Sequence, residues 1–207
     1  LDAVLKDLNI EPDAYLGMST GEYANYFLNG YIRVEYVMIE FYRFIVELAR
    51  SIPENKFSAL KTVNIFGTLA SVKDLIAAVP ELSQELHIVG ELAMEHVMVT
   101  GTKNAVAILT RMTESRGIAS LMMPAAIPYH TPLVEDLLNR DQTEIFKSSK
   151  TFSRVEVPSW SCALEGPAPE DKSAIEDLAA NLFRMPIKLY QTALQMYDSG
   201  IRQFVEI

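Results

Sequence analysis

The sequence predicts an α/β fold in two interwoven parts, a larger α/β part interrupted by a small ferredoxin-like unit. Three observations carry this reading. Residues 12–30 read as strand, tight turn and helix; residues 58–126 read as β-α-β-β-α-β; and residues 127–207 return to strand–helix alternation. At 207 residues with 49% apolar content, the chain can bury a substantial core as one or two domains.

The first part opens on a helix that feeds a short segment, Pro12-Asp13-Ala14-Tyr15-Leu16, which turns apolar as a strand entering a core would. Gly17-Met18-Ser19-Thr20-Gly21 follows, a G-x-S-x-G pattern. A helix-like run from Glu22 to Leu28 comes next, closed by Asn29-Gly30. Strand, tight turn and helix are the setting in which such a serine becomes a nucleophile. The glycines permit a sharp turn and close packing. The serine hydroxyl is lifted to a helix N-terminus, where the Thr20 backbone N–H points at a developing oxyanion. A long helix is expected over Val34 to Arg50, where Val34, Val37, Met38, Phe41, Ile45 and Leu48 recur at spacings of three and four.

The middle segment changes rhythm. Thr62 to Gly67 reads as a strand, and Ser71 to Val79 as a helix with Ser71 as N-cap. Leu86–Glu91 and Met94–Gly101 read as two strands, Lys103–Arg116 as a helix closed by Gly117, and Ile118–Met123 as a last strand. The order is ferredoxin-like. Domain boundaries are therefore expected at 1–57 with 127–207 for the larger part and 58–126 for the smaller. Beyond residue 127 the sequence adds a strand near Val155 to Trp160 and helices near Asp171 to Phe183 and Pro186 to Ser199. A terminal strand is expected at Gln203 to Ile207. The cleft between the parts is where a site is expected.

A nucleophilic serine needs a base, and the chain has three histidines. His87 and His96 alternate with apolar neighbours, which places each on the polar face of a strand. His130 lies in Ile127-Pro128-Tyr129-His130-Thr131-Pro132, between two prolines that forbid regular helix or central strand. A histidine fixed in a rigid loop is suited to act as general base.

Composition narrows the alternatives. Net charge is −9 without a Lys/Arg cluster, which argues against nucleic acid as partner. No histidine/cysteine spacing suits zinc, and no apolar run approaches the ~20 residues of a membrane span. The single cysteine, Cys162, leaves no internal disulfide and fits a reducing cytoplasm. Trp160 and Cys162 are expected to fill core.

Gly17-Met18-Ser19-Thr20-Gly21-Glu22-Tyr23-Ala24 resembles the G-H-S-x-G-E-Y-A motif of malonyl-CoA:acyl-carrier-protein transacylases and polyketide synthase acyltransferase domains. Ile127 to Val134 resembles that family's x-x-F-H-S-P-L-M segment, which carries its histidine. Weaker echoes follow in order. Val155-Glu156-Val157-Pro158-Ser159-Trp160-Ser161 falls where the family has I-P-V-Y-S-N, and Leu182-Phe183-Arg184-Met185-Pro186-Ile187 where it has L-x-x-P-V-x-F. Ser199 to Ile207 is similar to its G-V-x-x-F-V-E ending. The resemblance implies an acyltransferase fold, with an α/β-hydrolase-like large subdomain and an inserted ferredoxin-like small one.

It also implies a chemistry. Ser19 attacks a thioester with His130 as base, and the acyl-serine passes its acyl group to the phosphopantetheine thiol of an acyl carrier protein. Acyl-CoA and the carrier are substrates; no bound cofactor or metal is implied. A backbone carbonyl in place of a triad aspartate orients the histidine, and motif alignment assigns it to Leu182, or to Asn181 if the register slips by one. Family members carry a P-G-Q-G segment well ahead of the nucleophile, so the chain is expected to be a piece of a larger acyltransferase. Its partners would then include neighbouring synthase domains or that N-terminal part.

Departures from the family pattern bear on substrate. Met18 replaces the histidine before the nucleophile, in a position that lines the family's acyl pocket. The family's arginine, which grips malonyl carboxylate, lies 25 residues after the serine, where this chain has Phe44 with Arg43 beside it. One helical step turns a side chain by about 100°, so Arg43 does not simply substitute. The segment Ile127-Pro128-Tyr129-His130 matches neither the malonyl nor the methylmalonyl pattern. An unpaired carboxylate among Met18, Phe44 and Ile127 would cost several kcal/mol by desolvation, so an uncharged acyl group is favoured. Two further readings stand beside the acyltransferase: an acyl hydrolase clearing carrier thioesters, and a degenerate acyltransferase-like scaffold module without catalysis.

Overall fold

A computed structural model of the chain describes residues 9–28, 59–124, 128–135 and 157–206, together with residues 7 and 46. Two sheets are present among the described residues. The first joins β1 (Tyr15–Gly17), β6 (Ser159–Ser161) and β7 (Gly166–Pro167). β1 runs parallel to β6 with Tyr15 opposite Ser159 and Gly17 opposite Ser161, and β7 pairs antiparallel with β6. The strand that delivers the G-x-S-x-G turn is thus anchored to the segment at 159–161. Helix α1 (Thr20–Leu28) leaves this sheet directly after Ser19.

Gly17 is where that departure is tightest. A Cβ there would lie 2.3 Å from the backbone oxygen of Gly21 and 2.5 Å from the nitrogen of Glu22. The obstruction is backbone, which has no rotamer to yield. Gly17→Ala is therefore expected to lower stability by about 1–3 kcal/mol, the usual range for overpacking. A denaturant titration with an unchanged midpoint would contradict this. Gly21 differs, for nothing lies within 4 Å of its would-be Cβ.

The second sheet contains β2 (Leu60–Ile65), β3 (Leu86–Ala93), β4 (His96–Thr102) and β5 (Ser120–Met122) in the spatial order β5-β2-β4-β3. Each neighbouring pair is antiparallel, which is the ferredoxin-like arrangement. Helices α2 (Leu69–Ala77) and α3 (Lys103–Ser115) complete the unit. Val63, Ile65, Val97 and Val99 from the strands meet Val72, Leu75, Val106 and Leu109 from the helices, all fully buried. Alternation of apolar residues along the strands and the i, i+3 spacing along the helices put these side chains on facing surfaces. The N-cap of α2 is Thr68, whose hydroxyl accepts from the N–H of Ser71. The helix thus begins before Ser71, because either hydroxyl in T-x-x-S can cap and the earlier one does.

The chain then returns through α4 (Lys172–Asn181), with Asp171 as N-cap, and a 3₁₀ turn at Leu182–Arg184. The continuous helix expected from Pro186 is divided. β8 (Ile187–Lys188) comes first, and α5 (Leu189–Asp198) follows. β8 joins the edge of the small sheet, parallel to β3, with Ile187 opposite Gly90. A Cβ at Gly90 would meet Ile187 Cβ at 2.7 Å, so glycine is what lets this fifth strand dock. The small sheet is therefore completed by the C-terminal part. No strand forms at 203–206: these residues lie exposed, and none of the described strands flanks them. Of the helix expected at 34–50, only Val46 lies among the described residues.

Candidate active site

The turn after β1 places Ser19 with φ of 55°, in the left-handed region, while Gly21 N–H donates to Met18 O at 2.8 Å. A non-glycine residue held there costs of order 1–3 kcal/mol and persists only where surrounding structure fixes it. The strained backbone turns the side chain out of the sheet at the start of α1, as in a nucleophile elbow. Thr20 is the first residue of α1, so its N–H is among those without an intrahelical acceptor.

His130 also adopts a left-handed backbone, with φ of 64°. Its loop is fixed at several points. Its N–H donates to Phe183 O at 2.6 Å, Thr131 Oγ1 donates to Pro128 O at 2.6 Å, and the Phe183 ring lies 5.7 Å from the imidazole. The imidazole is buried, and Nε2 sits 2.7 Å from Ser19 Oγ. The structure thus brings together two side chains that are 111 positions apart.

The second imidazole nitrogen fixes the tautomer. Nδ1 lies 3.0 Å from the carbonyl oxygen of Met185, which can only accept, so Nδ1 carries the proton and Nε2 presents its lone pair to the serine hydroxyl. The carbonyl at hydrogen-bond distance is that of Met185, three residues beyond Leu182, whose own carbonyl acts on the ring more weakly. The cause is the 3₁₀ turn: Leu182 O accepts from Met185 N–H at 3.2 Å within it, and the chain leaving the turn carries Met185 O to the imidazole. Burial lowers the pKa of His130 below the ordinary imidazole value; the hydrogen bond its ring donates to the Met185 carbonyl, and more weakly that to Leu182, pulls the other way. A neutral base facing a serine hydroxyl can accept its proton.

Behind Ser19, Glu22 is 1% exposed. Its carboxylate accepts from Ser161 Oγ at 2.7 Å, Ala163 N–H at 3.1 Å and Tyr26 Oη at 3.2 Å. Burial raises its pKa, and these donors oppose the rise. Tyr23 Oη donates to Ala179 O at 2.7 Å. The sequence marked neither the Glu22 cluster nor the carbonyl of Met185 as part of the site. Cys162 is buried beside Glu22, and burial, with the carboxylate's charge, pushes its thiol up to about 12, leaving it a poor nucleophile.

Among the expected pocket residues, Met18 is 44% exposed next to Ser19. Tyr129 stacks on Phe183 at 5.0 Å, and partial burial raises its phenol pKa. Phe44, Arg43 and Ile127 lie outside the described residues. A cavity of about 450 Å³ opens against His130 between the small sheet and the C-terminal part. Ile76, Leu86, Ile88 and Pro186 give it apolar walls, and Lys73, His87 and Arg184 add basic groups. His87, expected on a polar strand face, thus lines the cavity beside His130. Among the described residues no His/Cys/Asp/Glu group could hold a metal ion, and no helix is long and apolar enough to cross a membrane.

No family model matches the chain. A curated relative, 6-methylsalicylic acid synthase from Aspergillus terreus, is 24% identical over 213 residues, covering 100% of this chain and 11% of the relative. A malonyl CoA-acyl carrier protein transacylase from Coxiella burnetii superposes with a TM-score of 0.83 at 16% identity, over 96% of this chain and 62% of that one. The acyltransferase domain of an iterative polyketide synthase of enediyne biosynthesis superposes with a TM-score of 0.78 at 15% identity, over 93% of this chain and 48% of that one. The chain has the acyltransferase fold, and it spans about a tenth of the curated relative and about half to two-thirds of the similar structures.

Proposed function

We propose that the chain carries the acyl-transfer centre of an acyltransferase working in polyketide or fatty acid synthesis, with Ser19 as nucleophile and His130 as general base. The observation that carries the reading is the 2.7 Å approach of Ser19 Oγ to His130 Nε2, in a ring whose Nδ1–H is held by Met185. As Oγ attacks the thioester carbonyl carbon, Nε2 takes its proton, and the Thr20 N–H supports the charge on the carbonyl oxygen. Collapse breaks the C–S bond, the proton passes from Nε2 to the departing thiol, and acyl-serine remains. The phosphopantetheine thiol of an acyl carrier protein then gives its proton to Nε2 and attacks the ester; the C–Oγ bond breaks, Nε2 returns the proton to Oγ, and Ser19 and neutral His130 are restored. The carrier is the acceptor that the names of the similar transacylases supply, and acyl-CoA is the donor. The cavity beside His130 has apolar walls for an extended thioester arm and basic groups for its phosphate.

The test is intact-mass analysis of the full chain after incubation with a panel of acyl thioesters, followed by addition of holo carrier protein. Acyl adduct on the chain that moves to the carrier supports transfer. Adduct lost equally fast without the carrier would assign hydrolysis instead, and absence of any adduct would overturn the reading.

Acylation requires neutral His130, and burial holds its pKa below the ordinary 6.5. The acylation rate should therefore rise with pH through a limb centred below that value and be level at neutral pH. A limb centred above 6.5 would contradict the assignment of His130 as the buried base.

The acyl group is proposed to be uncharged. By motif alignment Phe44 takes the sequence position of the arginine that grips malonyl carboxylate in the resembling enzymes, and Met18 adds apolar surface beside Ser19. Acetyl- or longer acyl-CoA is expected to outcompete malonyl-CoA for Ser19, and Phe44→Arg to raise malonyl loading through a bidentate guanidinium–carboxylate pair. Malonyl prevailing in the unmodified protein would mean that Arg43 or another cation holds the carboxylate.

A further inference from the structure

The nucleophile and the base are borne by segments that two side chains of one helix tie together. Glu22 receives Ser161 Oγ and the Ala163 N–H, so it holds the turn that follows β6. Within that turn, Cys162 O accepts from Lys188 N–H at 2.9 Å, which fixes the chain three residues beyond Met185. Tyr23, next to Glu22, binds Ala179 O in α4, three residues ahead of the 3₁₀ turn. The stretch that supplies Phe183 O to the His130 backbone and Met185 O to its imidazole is thus held on both sides from the helix that begins one residue after Ser19.

From this network we infer that Glu22 is a positioning residue for the Ser19–His130 pair, acting through the 161–163 turn and Lys188 on the carbonyl of Met185. It touches neither reacting atom. The carboxylate suits the task because Tyr26, Ser161 and Ala163 all donate to it, and the last two lie outside α1. A buried carboxylate accepting three hydrogen bonds is held in one orientation. Its neighbours are held with it, and misplacement on the scale of about 1 Å is enough to slow a reaction of positioned groups. Ser161 and Tyr26 hydroxyls can reverse their hydrogen bonds, so an amide of the same shape fits the same cage.

The inference rests on the acyl-transfer reading for its kinetic consequence, but not for its structural one. With the full chain, Glu22→Gln should acylate Ser19 within a few-fold of the parent. Glu22→Ala and Ser161→Ala should lower the maximal rate by about 10- to 100-fold while leaving the thioester concentration at half-maximal rate unchanged, and the double variant should be no slower than Glu22→Ala alone. Ser161→Ala keeps the test decisive if Glu22→Ala fails to fold. Parental rates in folded Ser161→Ala, or losses that add in the double variant, would overturn the inference. Nitrogen-15 NMR of the imidazoles, assigned through His130→Ala, gives a readout independent of turnover. The parent should show a protected His130 Nδ1–H that Ser161→Ala loses; its retention would overturn the inference even in a chain that accepts no acyl group. Failure of acylation in the parent would instead count against the proposed function.

Discussion

Replacing Ser19 by alanine is expected to abolish covalent labelling by every acyl thioester that labels the parent. In the proposed mechanism the hydroxyl is the atom that receives the acyl group, so the loss is complete rather than graded. The alternative acceptor in the neighbourhood is Cys162, and its thiol is buried and pushed up to about 12, which leaves almost no thiolate near neutral pH. Intact mass on Ser19→Ala therefore separates two chemistries cleanly. Adduct that survives and maps to Cys162 would mean that the G-x-S-x-G serine is a turn residue and no more. Alanine also relieves nothing at the left-handed backbone, since its Cβ meets the same restriction as that of serine, so stability should change little.

Replacing His130 by alanine is expected to slow acylation by roughly 10²–10⁴-fold, the range for loss of a general base. The fold should survive, because the main-chain bond from residue 130 to Phe183 O does not involve the ring. The excised imidazole leaves a space beside Phe183 and the Met185 carbonyl. Small imidazoles added to the buffer should recover part of the rate by occupying it. A near-normal rate without such addition would assign the proton to another group. His87, the other histidine lining the cavity, would then be the group to replace next.

Much of this arrangement was legible in the sequence. The glycines and flanks around Ser19 announced a strand–turn–helix, and the prolines around His130 announced a rigid loop. The ferredoxin-like order was legible because Val63, Ile65, Val97 and Val99 alternate cleanly and α2 and α3 carry apolar stripes. What escaped has physical causes. The Met185 carbonyl belongs to the backbone and leaves no side-chain signature, and its register depends on a turn of three residues at 182–184. β8 is two residues long, too short to show a period, and it interrupts what reads as helix from Pro186. The carboxylate of Glu22 looked like an ordinary first-turn acidic residue, favoured there by the helix dipole. Only the packing of α1 against 161–163 makes it interior. Gln203–Val205 has the residues of a strand without a described neighbour, since strand character needs a partner as well as a pattern.

The docking of Ile187–Lys188 onto Gly90 and Glu91 has a mechanical consequence. Met185, whose oxygen steadies the imidazole, sits two residues upstream of that ladder. The small sheet is therefore no free flap above the serine. Any swing that kept the ladder intact would drag the Met185 oxygen along its arc and spoil the alignment of the proton acceptor. Gly90 leaves no slack in this linkage, for Ile187 already rests against it. On the proposed acyl-transfer function, a long thioester would then enter by side chains moving aside at the mouth, with the small sheet and the C-terminal part kept in fixed register. A bulky residue at position 90 would work like a wedge driven into a clock escapement, stopping the movement without touching the hands.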